Sequence, residues 1–234
     1  MIFLRSLIFN LGMILFTIPF TVISLFTFPL PQKYRYLFIS LWAKSMLPWL
    51  KFTCHLDFQI IGKENVPKKP CVVFSNHQSA WETLALQIAL PPQVWVLKKE
   101  LLLIPFFGWG LWLTSPIAIN RSAGKKALMQ MFEQGGKKLS KGFFIIIFPE
   151  GTRVGVDEQR SYHIGGSWLA KKLSSPILPI AHNAGYYWPK NSFIKHPGTI
   201  KLTIGPLIST DQLSPDDINV KVKNWIDEHV EKII

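Results

Sequence analysis

Residues 143–153 read FFIIIFPEGTR. Six apolar residues without a polar break, stopped by Pro149, have the length and composition of a strand buried on both faces. Gly151, Thr152 and Arg153 then make a polar loop at its carboxyl end. Residues 71–77, CVVFSNH, follow the same plan: a short apolar run and then a polar loop. Outward from these two runs the text keeps changing period. Residues 55–61 alternate, with Leu56, Phe58 and Ile60 on one face, and Thr199–Ile204 alternates likewise. Val94–Leu97, Pro116–Ile119 and Ile177–Ala181 read as further short strands. Between them lie helical stretches at 80–90, ended by Pro91-Pro92, at 123–139 and at 167–173. Ser214-Pro215-Asp216-Asp217 is a helix start: a cap, a proline at the first position, and acids at the positive end of the dipole. Short strands alternating with helices predict an α/β core with a mixed, largely parallel sheet flanked by helices.

The chain has 234 residues, a formal net charge of +12, only 17% charged residues and nine tryptophans. This composition excludes a disordered tail or a coiled coil. The positive balance asks for an anionic partner, and the low charge density with many aromatics favours an anionic membrane over nucleic acid. Six acidic side chains fall in residues 211–234, so the rest of the chain is more basic still. Two cysteines, Cys54 and Cys71, read as core thiols rather than a disulfide framework.

No charged residue stands between Arg5 and Lys33. That run is long enough to span a bilayer core and too long for a typical signal-peptide core, and no small-residue cleavage site follows it. Residues 34–52 continue apolar but carry Arg35, Lys44 and Lys51, with positions 34, 37, 38, 41, 42, 45 and 49 on one helical face. Basic residues mixed with Trp and Tyr suit an interfacial helix. Basic groups on both sides of the first run give no preferred crossing. They fit a hairpin or re-entrant anchor bent near Pro19, with both ends cytoplasmic; one plain transmembrane helix is the simpler alternative. The expected division is residues 1–52 as a hydrophobic helical membrane anchor and 53–234 as the α/β domain.

Two loops carry the chemistry. In NHQSAWE, residues 76–82, His77 follows a strand and Glu82 lies in the next helix. Positions five apart on a helix point about 140° apart, so the two side chains meet only if His77 sits in the turn and folds back. A His held by a carboxylate in that way is a general base. In the second loop Arg153 offers a planar fork suited to phosphate, beside the Thr152 hydroxyl and the permissive backbone of Gly151. The remaining histidines lack metal-ligand spacing, which predicts no metal site. Gly165-Gly166-Ser167-Trp168-Leu169 lacks the second glycine of a serine-nucleophile elbow.

NHQSAWE followed by FPEGTR resembles the glycerolipid acyltransferase family, whose motifs are His-x4-Asp and Phe-Pro-Glu-Gly-Thr-Arg. Lys99-Glu100-Leu101 with Pro105 and Gly108, then Ile119-Asn120-Arg121, resembles a further family block, and Ile177-Leu178-Pro179-Ile180 the last one. The likeness covers about residues 50–210 and is greatest to bacterial lysophosphatidic acid acyltransferases. Glu82 departs from the usual Asp but keeps the charge.

The resemblance implies transfer of an acyl group from a thioester, on acyl carrier protein or coenzyme A, to the sn-2 hydroxyl of lysophosphatidic acid, giving phosphatidic acid. His77 and Glu82 would be catalytic. Arg153 would hold the acceptor phosphate, with Gly151 and Thr152 shaping the pocket. Glu150 would orient Arg153 or bind a glycerol hydroxyl, and Lys99 and Arg121 would add phosphate contacts. No cofactor is expected beyond the thioester cosubstrate. The implied location is the cytoplasmic membrane, with the site on its cytoplasmic face. Paired lysines at 125–126, 137–138 and 171–172 read as solvated helix faces or as docking points for anionic lipid or acidic carrier protein. Another lysolipid acceptor, such as lysocardiolipin or a lyso-ornithine lipid, and a non-catalytic membrane adaptor are the alternatives.

Overall fold

The computed structural model describes residues 1–120 and 123–234. Its first two elements are long helices, α1 (Ile2–Leu25) and α2 (Gln32–Cys54). The chain reverses between them at residues 26–31, where Phe26, Thr27 and Phe28 N–H groups bond to carbonyls three residues back. The bend expected near Pro19 is therefore displaced: Pro19 lies inside α1 without ending it. A proline removes one backbone bond, but neighbours on both sides keep the helix running. Trp42 Nε1–H donates to Thr17 Oγ1 at 3.0 Å, and the Phe20 and Phe38 rings stack at 5.4 Å, closing the hairpin.

The sheet and its helices follow as β1 (Leu56–Ile61), β2 (Val72–Ser75), α3 (Trp81–Ala89), β3 (Gln93–Lys98), α4 (Phe107–Leu113), β4 (Ile117–Ile119), α5 (Lys125–Ser140), β5 (Phe144–Ile147), α6 (Ile164–Lys172), β6 (Ile177–His182), α7 (Ala184–Tyr187), β7 (Gly198–Ile204) and α8 (Pro215–Ile233). Strand order is β1-β7-β6-β2-β5-β3-β4. Strands β6, β2, β5, β3 and β4 run parallel; β7 is antiparallel to β6, and β1 runs parallel to β7. This is the mixed, largely parallel sheet that the periodicity predicts.

Alternation explains why the central strands are apolar throughout. Val73, Phe144, Ile146, Leu178 and Ile180 pack on one face with α2 and α3. Val72, Phe74, Ile145, Ile147 and Ile177 pack on the other with α5, α6 and α8. Both faces are covered, so no polar alternation survives. Each fully buried isoleucine contributes about 1.5–3 kcal/mol by removal from water. Gly166 allows α6 its close approach, since a β-carbon there would meet Phe74 Cζ at 2.7 Å. Ser214 and Asp217 form a reciprocal capping box at the start of α8. Cys54 and Cys71 are free and buried, and burial pushes the Cys71 thiol up to about 12.

The hairpin presents two different faces. On α2, Tyr36, Ser40, Ala43, Leu47, Leu50 and Cys54 are buried, and the outer residues Tyr34, Leu37 and Leu41 are exposed. On α1 the protein-facing stripe is partly polar, with Ser6, Phe9, Thr21 and Ser24 buried. Leu11, Ile14, Leu15, Ile18 and Val22 are exposed. Helix α1 is docked along its length. Lys195 N–H donates to Ser6 Oγ at 3.0 Å and Lys195 Nζ to Asn10 Oδ1 at 2.8 Å. At the far end the Phe28 ring, in the turn after α1, stacks on Trp112 of α4 at 5.5 Å. Helix α4 adds exposed Phe107, Trp109 and Trp112 to the same apolar surface.

Candidate active site

The strands β2, β5, β3 and β4 are parallel neighbours, so their carboxyl ends lie along one edge of the sheet, where ligand sites form in open α/β folds. Phe74 pairs with Ile147, which brings the loop after β2 beside the loop after β5. His77 lies in the first loop, four residues before the start of α3. It folds back over the first helical turn, as its spacing from Glu82 requires. His77 Nδ1–H donates to Glu82 Oε1 at 2.6 Å. The same oxygen accepts the Gln78 and Ser79 N–H groups at 3.0 and 2.9 Å. Glu82 is wholly buried and sits in the first turn of α3, at the positive end of the helix dipole. Burial alone would push its carboxyl up. The His182 ring, the His77 bond and charge, and the Ser79 N–H together outweigh burial and hold it below the usual carboxylate range.

With Nδ1–H committed to Glu82, the free lone pair of His77 is on Nε2. The side chain is 15% exposed. Its ring lies flat on Phe148 at 3.9 Å, and Phe148 in turn stacks on Trp95 at 5.7 Å. A carboxylate on one edge and an aromatic pile on one face leave the imidazole little rotational freedom.

The loop after β5 closes round His77. Phe148-Pro149-Glu150-Gly151 is a tight turn with Pro at its second place and a Gly151 N–H to Phe148 C=O bond of 3.0 Å. Gly151 has φ of 73°, the left-handed region that glycine enters without strain. Val154 N–H then donates to His77 C=O at 2.7 Å. Glu150 Oε1 accepts His77 N–H at 3.1 Å, while Oε2 has no partner among the described residues. Glu150 is 6% exposed, and burial pushes its carboxyl up to about 7, with Glu82 and Asp227 adding to the rise. No ion pair joins it to Arg153 among the described residues. Its other face borders a cavity of about 310 Å³ against α8.

Arg153 immediately precedes the Val154 bridge to His77. Its guanidinium makes no hydrogen bond or ion pair among the described residues. Thr152 is exposed beside it. Lys99 follows β3 and is exposed; it stands two strand spacings from β2, about 10 Å away. Arg121, which follows the outermost strand β4, lies outside the described residues. The structure thus brings His77, Glu82, Glu150, Gly151, Thr152 and Arg153 together, with Lys99 further along the edge.

Three participants escape sequence reading: Phe148 and Trp95, which stack in line with the ring, and His182. His182 is fully buried at the end of β6, with Nε2 3.9 Å from Glu82 Oε2. More than a hundred positions separate it from His77 in the chain, and only the β2–β6 pairing makes them neighbours.

This edge, with its paired histidine and carboxylate and its nearby arginine, belongs to a known class. A model of the acyltransferase family matches residues 57–183, and the chain belongs to that family. Over 98% of its length it is 40% identical to the 1-acyl-sn-glycerol-3-phosphate acyltransferase of Pseudomonas aeruginosa, 91% of which is covered. It is 33% identical over 75% of its length to the 1-acyl-sn-glycerol-3-phosphate acyltransferase alpha of Mus musculus, 63% of which is covered. In fold it is similar to the crystal structure of the 1-acyl-sn-glycerophosphate acyltransferase from Thermotoga maritima. There the TM-score is 0.81 at 24% identity, over 98% of this chain and 94% of that one.

Proposed function

We propose that this chain acylates the sn-2 hydroxyl of lysophosphatidic acid, giving phosphatidic acid. The observation that carries the chemistry is the 2.6 Å bond from His77 to the buried Glu82, which leaves Nε2 as the base. His77 Nε2 takes the acceptor's hydroxyl proton as the oxygen bonds to the thioester carbonyl. The tetrahedral intermediate then expels the thiolate by breaking the C–S bond. The imidazolium returns its proton to the sulfur, and Glu82 stabilises the charge in between. No covalent enzyme intermediate is needed. Arg153 holds the acceptor phosphate through its fork, with Gly151 and Thr152 shaping the loop and Lys99 adding positive charge along the edge; Arg121 is a further phosphate contact by its motif alone. The donor is acyl-coenzyme A or acyl carrier protein, the latter an acidic partner suited to the basic domain.

The α1–α2 hairpin is the membrane attachment. Its polar stripe faces the protein and its apolar side faces out, which is stable only in a medium less polar than water. Because α1 is tied to the domain at both ends, it lies along the surface and dips into one leaflet, the cytoplasmic one. High salt should leave the full chain on membranes, since apolar burial is not screened. Release by salt alone would refute this attachment.

An acceptor panel tests the substrate. Purified full-length protein receives one labelled acyl thioester and, in turn, lysophosphatidic acid, a lysocardiolipin, a lyso-ornithine lipid and no acceptor. Preference for lysophosphatidic acid supports the proposal. Preference for another lysolipid overturns the acceptor, and no transfer to any of them favours the adaptor.

A further inference from the structure

The peptide bond that joins Asn76 to His77 is held at both ends by buried side chains. Its N–H donates to Glu150 Oε1 at 3.1 Å. Its carbonyl oxygen, on Asn76, accepts from His182 Nε2–H at 2.8 Å. The other ring nitrogen of His182, Nδ1, accepts the Ala184 N–H at 3.3 Å. One ring nitrogen donates and the other accepts, so His182 is the neutral Nε2–H tautomer. Burial favours that neutral form and outweighs the attraction of Glu82.

Asn76 returns the contact. Its Nδ2 donates to His182 C=O at 2.8 Å, and its Oδ1 accepts His182 N–H at 3.0 Å. The Asn76 side chain thus extends the β2–β6 pairing one step past Ser75 and Ile180, the last paired residues. The Asn76 carbonyl is left without a strand partner, and the His182 ring takes it at 2.8 Å, with the Ser75 hydroxyl donating to the same oxygen at 3.2 Å. His182 also makes an edge contact with Trp81, the first residue of α3 and the neighbour of Glu82.

We infer that His182 is a positioning residue for acyl transfer: by holding the Asn76 carbonyl it fixes the plane of the Asn76–His77 peptide, and so the point at which His77 Nε2 meets the acceptor hydroxyl. The inference rests on His77 being the base. Glu82 and Phe148 orient the imidazole, and Glu82 also holds the peptide after His77 through the Gln78 N–H, whereas the His182 ring acts on the peptide before it. Without His182 the ring and its carboxylate stay paired and substrates still bind. Productive alignment becomes rarer, so kcat falls while KM holds.

Two polar variants separate this role from mere packing. A glutamine amide nitrogen reaches about as far as imidazole Nε2, whereas an asparagine amide reaches only as far as Nδ1. His182→Gln therefore keeps a donor for the Asn76 carbonyl, and His182→Asn does not. Steady-state kinetics on the detergent-purified full chain, with acyl-coenzyme A and lysophosphatidic acid, should show His182→Asn losing about 10²-fold in kcat, the scale of a misplaced reacting group. KM should be unchanged, and His182→Gln should stay close to wild type. Equal kcat in the two folded variants, or wild-type kcat in His182→Asn, overturns the inference.

A second readout needs no turnover. Nitrogen NMR of the histidine-labelled chain, with peaks assigned by the variants, should show His182 protonated at Nε2 and His77 at Nδ1. The His77 Nδ1–H signal should persist in His182→Gln and shift in His182→Asn. A charged His182, or one protonated at Nδ1, sinks the inference whatever the activity. Correct tautomers in a chain that transfers nothing to lysophosphatidic acid would support the clamp and sink the substrate proposal instead.

Discussion

The first turn of α3, just after the β2 loop, and the loop after β5 each bring one buried glutamate to His77, and the two behave oppositely. Glu82 reaches the ring, and one of its oxygens gathers an imidazole N–H and two backbone N–H groups at the start of a helix. Its charge is held on. Glu150 reaches the backbone of the same residue, accepting the His77 N–H on one oxygen and, among the described residues, nothing on the other. Its proton is held on up to about pH 7. Burial pushes both carboxyls up, so the neighbours decide the outcome: the His182 ring, then the His77 bond and charge and the Ser79 N–H, draw Glu82 back down, whereas Glu82 and Asp227 add to the rise of Glu150. The start of α3 supplies a fixed negative charge beside the imidazole, and the loop after β5 supplies a carboxyl with a raised pKa beneath it.

The largest expected effect strikes where the two loops meet. His77→Ala should lower acyl transfer by about 10²–10⁴-fold, the usual worth of a general base, with the unfolding midpoint nearly unchanged. Glu82→Gln should cost about 10²-fold, because the imidazolium loses its counter-charge. Glu82→Asp should fall between that variant and wild type, since charge remains but the shorter stem must serve three donors. Equal activities for Glu82→Gln and Glu82→Asp would show that charge is not what this loop provides.

In the second loop, Arg153→Lys should raise KM for lysophosphatidic acid about tenfold, the scale of one charge-assisted hydrogen bond. An acceptor without phosphate should be spared. If both acceptors suffer alike, Arg153 does not hold phosphate.

Glu150→Gln should alter turnover least, because the amide oxygen can still accept His77 N–H. Its effect belongs to stability. A carboxyl raised in the folded state binds more protons there than in the unfolded chain. Its ionisation therefore destabilises the fold as pH rises from about 4.5 towards 7. Denaturant unfolding in detergent should find the variant more stable at pH 8 by at most about 3 kcal/mol, as one pKa unit is worth about 1.4 kcal/mol. The gain should vanish near pH 4. Glu82, held low, acts with the reverse sign: its contribution is present above the ordinary carboxylate value and lost as pH falls through its folded one.

Much of this was legible from residue types alone. The strand at 144–147 declares itself because both its faces are covered, and the Ser214 cap because its partners are three residues away. Local signals survive in a sequence. The fold-back of His77 also followed from helix geometry. What was hidden depends on distant packing. Helix α4 carries two glycines and no polar face, and it packs against α1 across most of a hundred positions. Helix α6 begins at Ile164 rather than Ser167, because Gly165-Gly166 reads as a breaker while the close approach to Phe74 needs a glycine there. The turn of the hairpin falls at 26–31, set by how α1 docks on the domain and not by Pro19. In the sequence His182 is one of several scattered histidines, and only the pairing of β6 with β2 brings it beside Asn76.

The most direct test of His77 as the base for sn-2 acylation follows the acyl group itself. Wild type and His77→Ala, each reconstituted in vesicles, receive acyl-labelled thioester and lysophosphatidic acid, and the label is traced among thioester, free acid and the two positions of the glycerol. Label should appear at the sn-2 position of phosphatidic acid with wild type, and almost none with folded His77→Ala. Near-normal label at sn-2 from His77→Ala, or label leaving wild type chiefly as free acid, would contradict this.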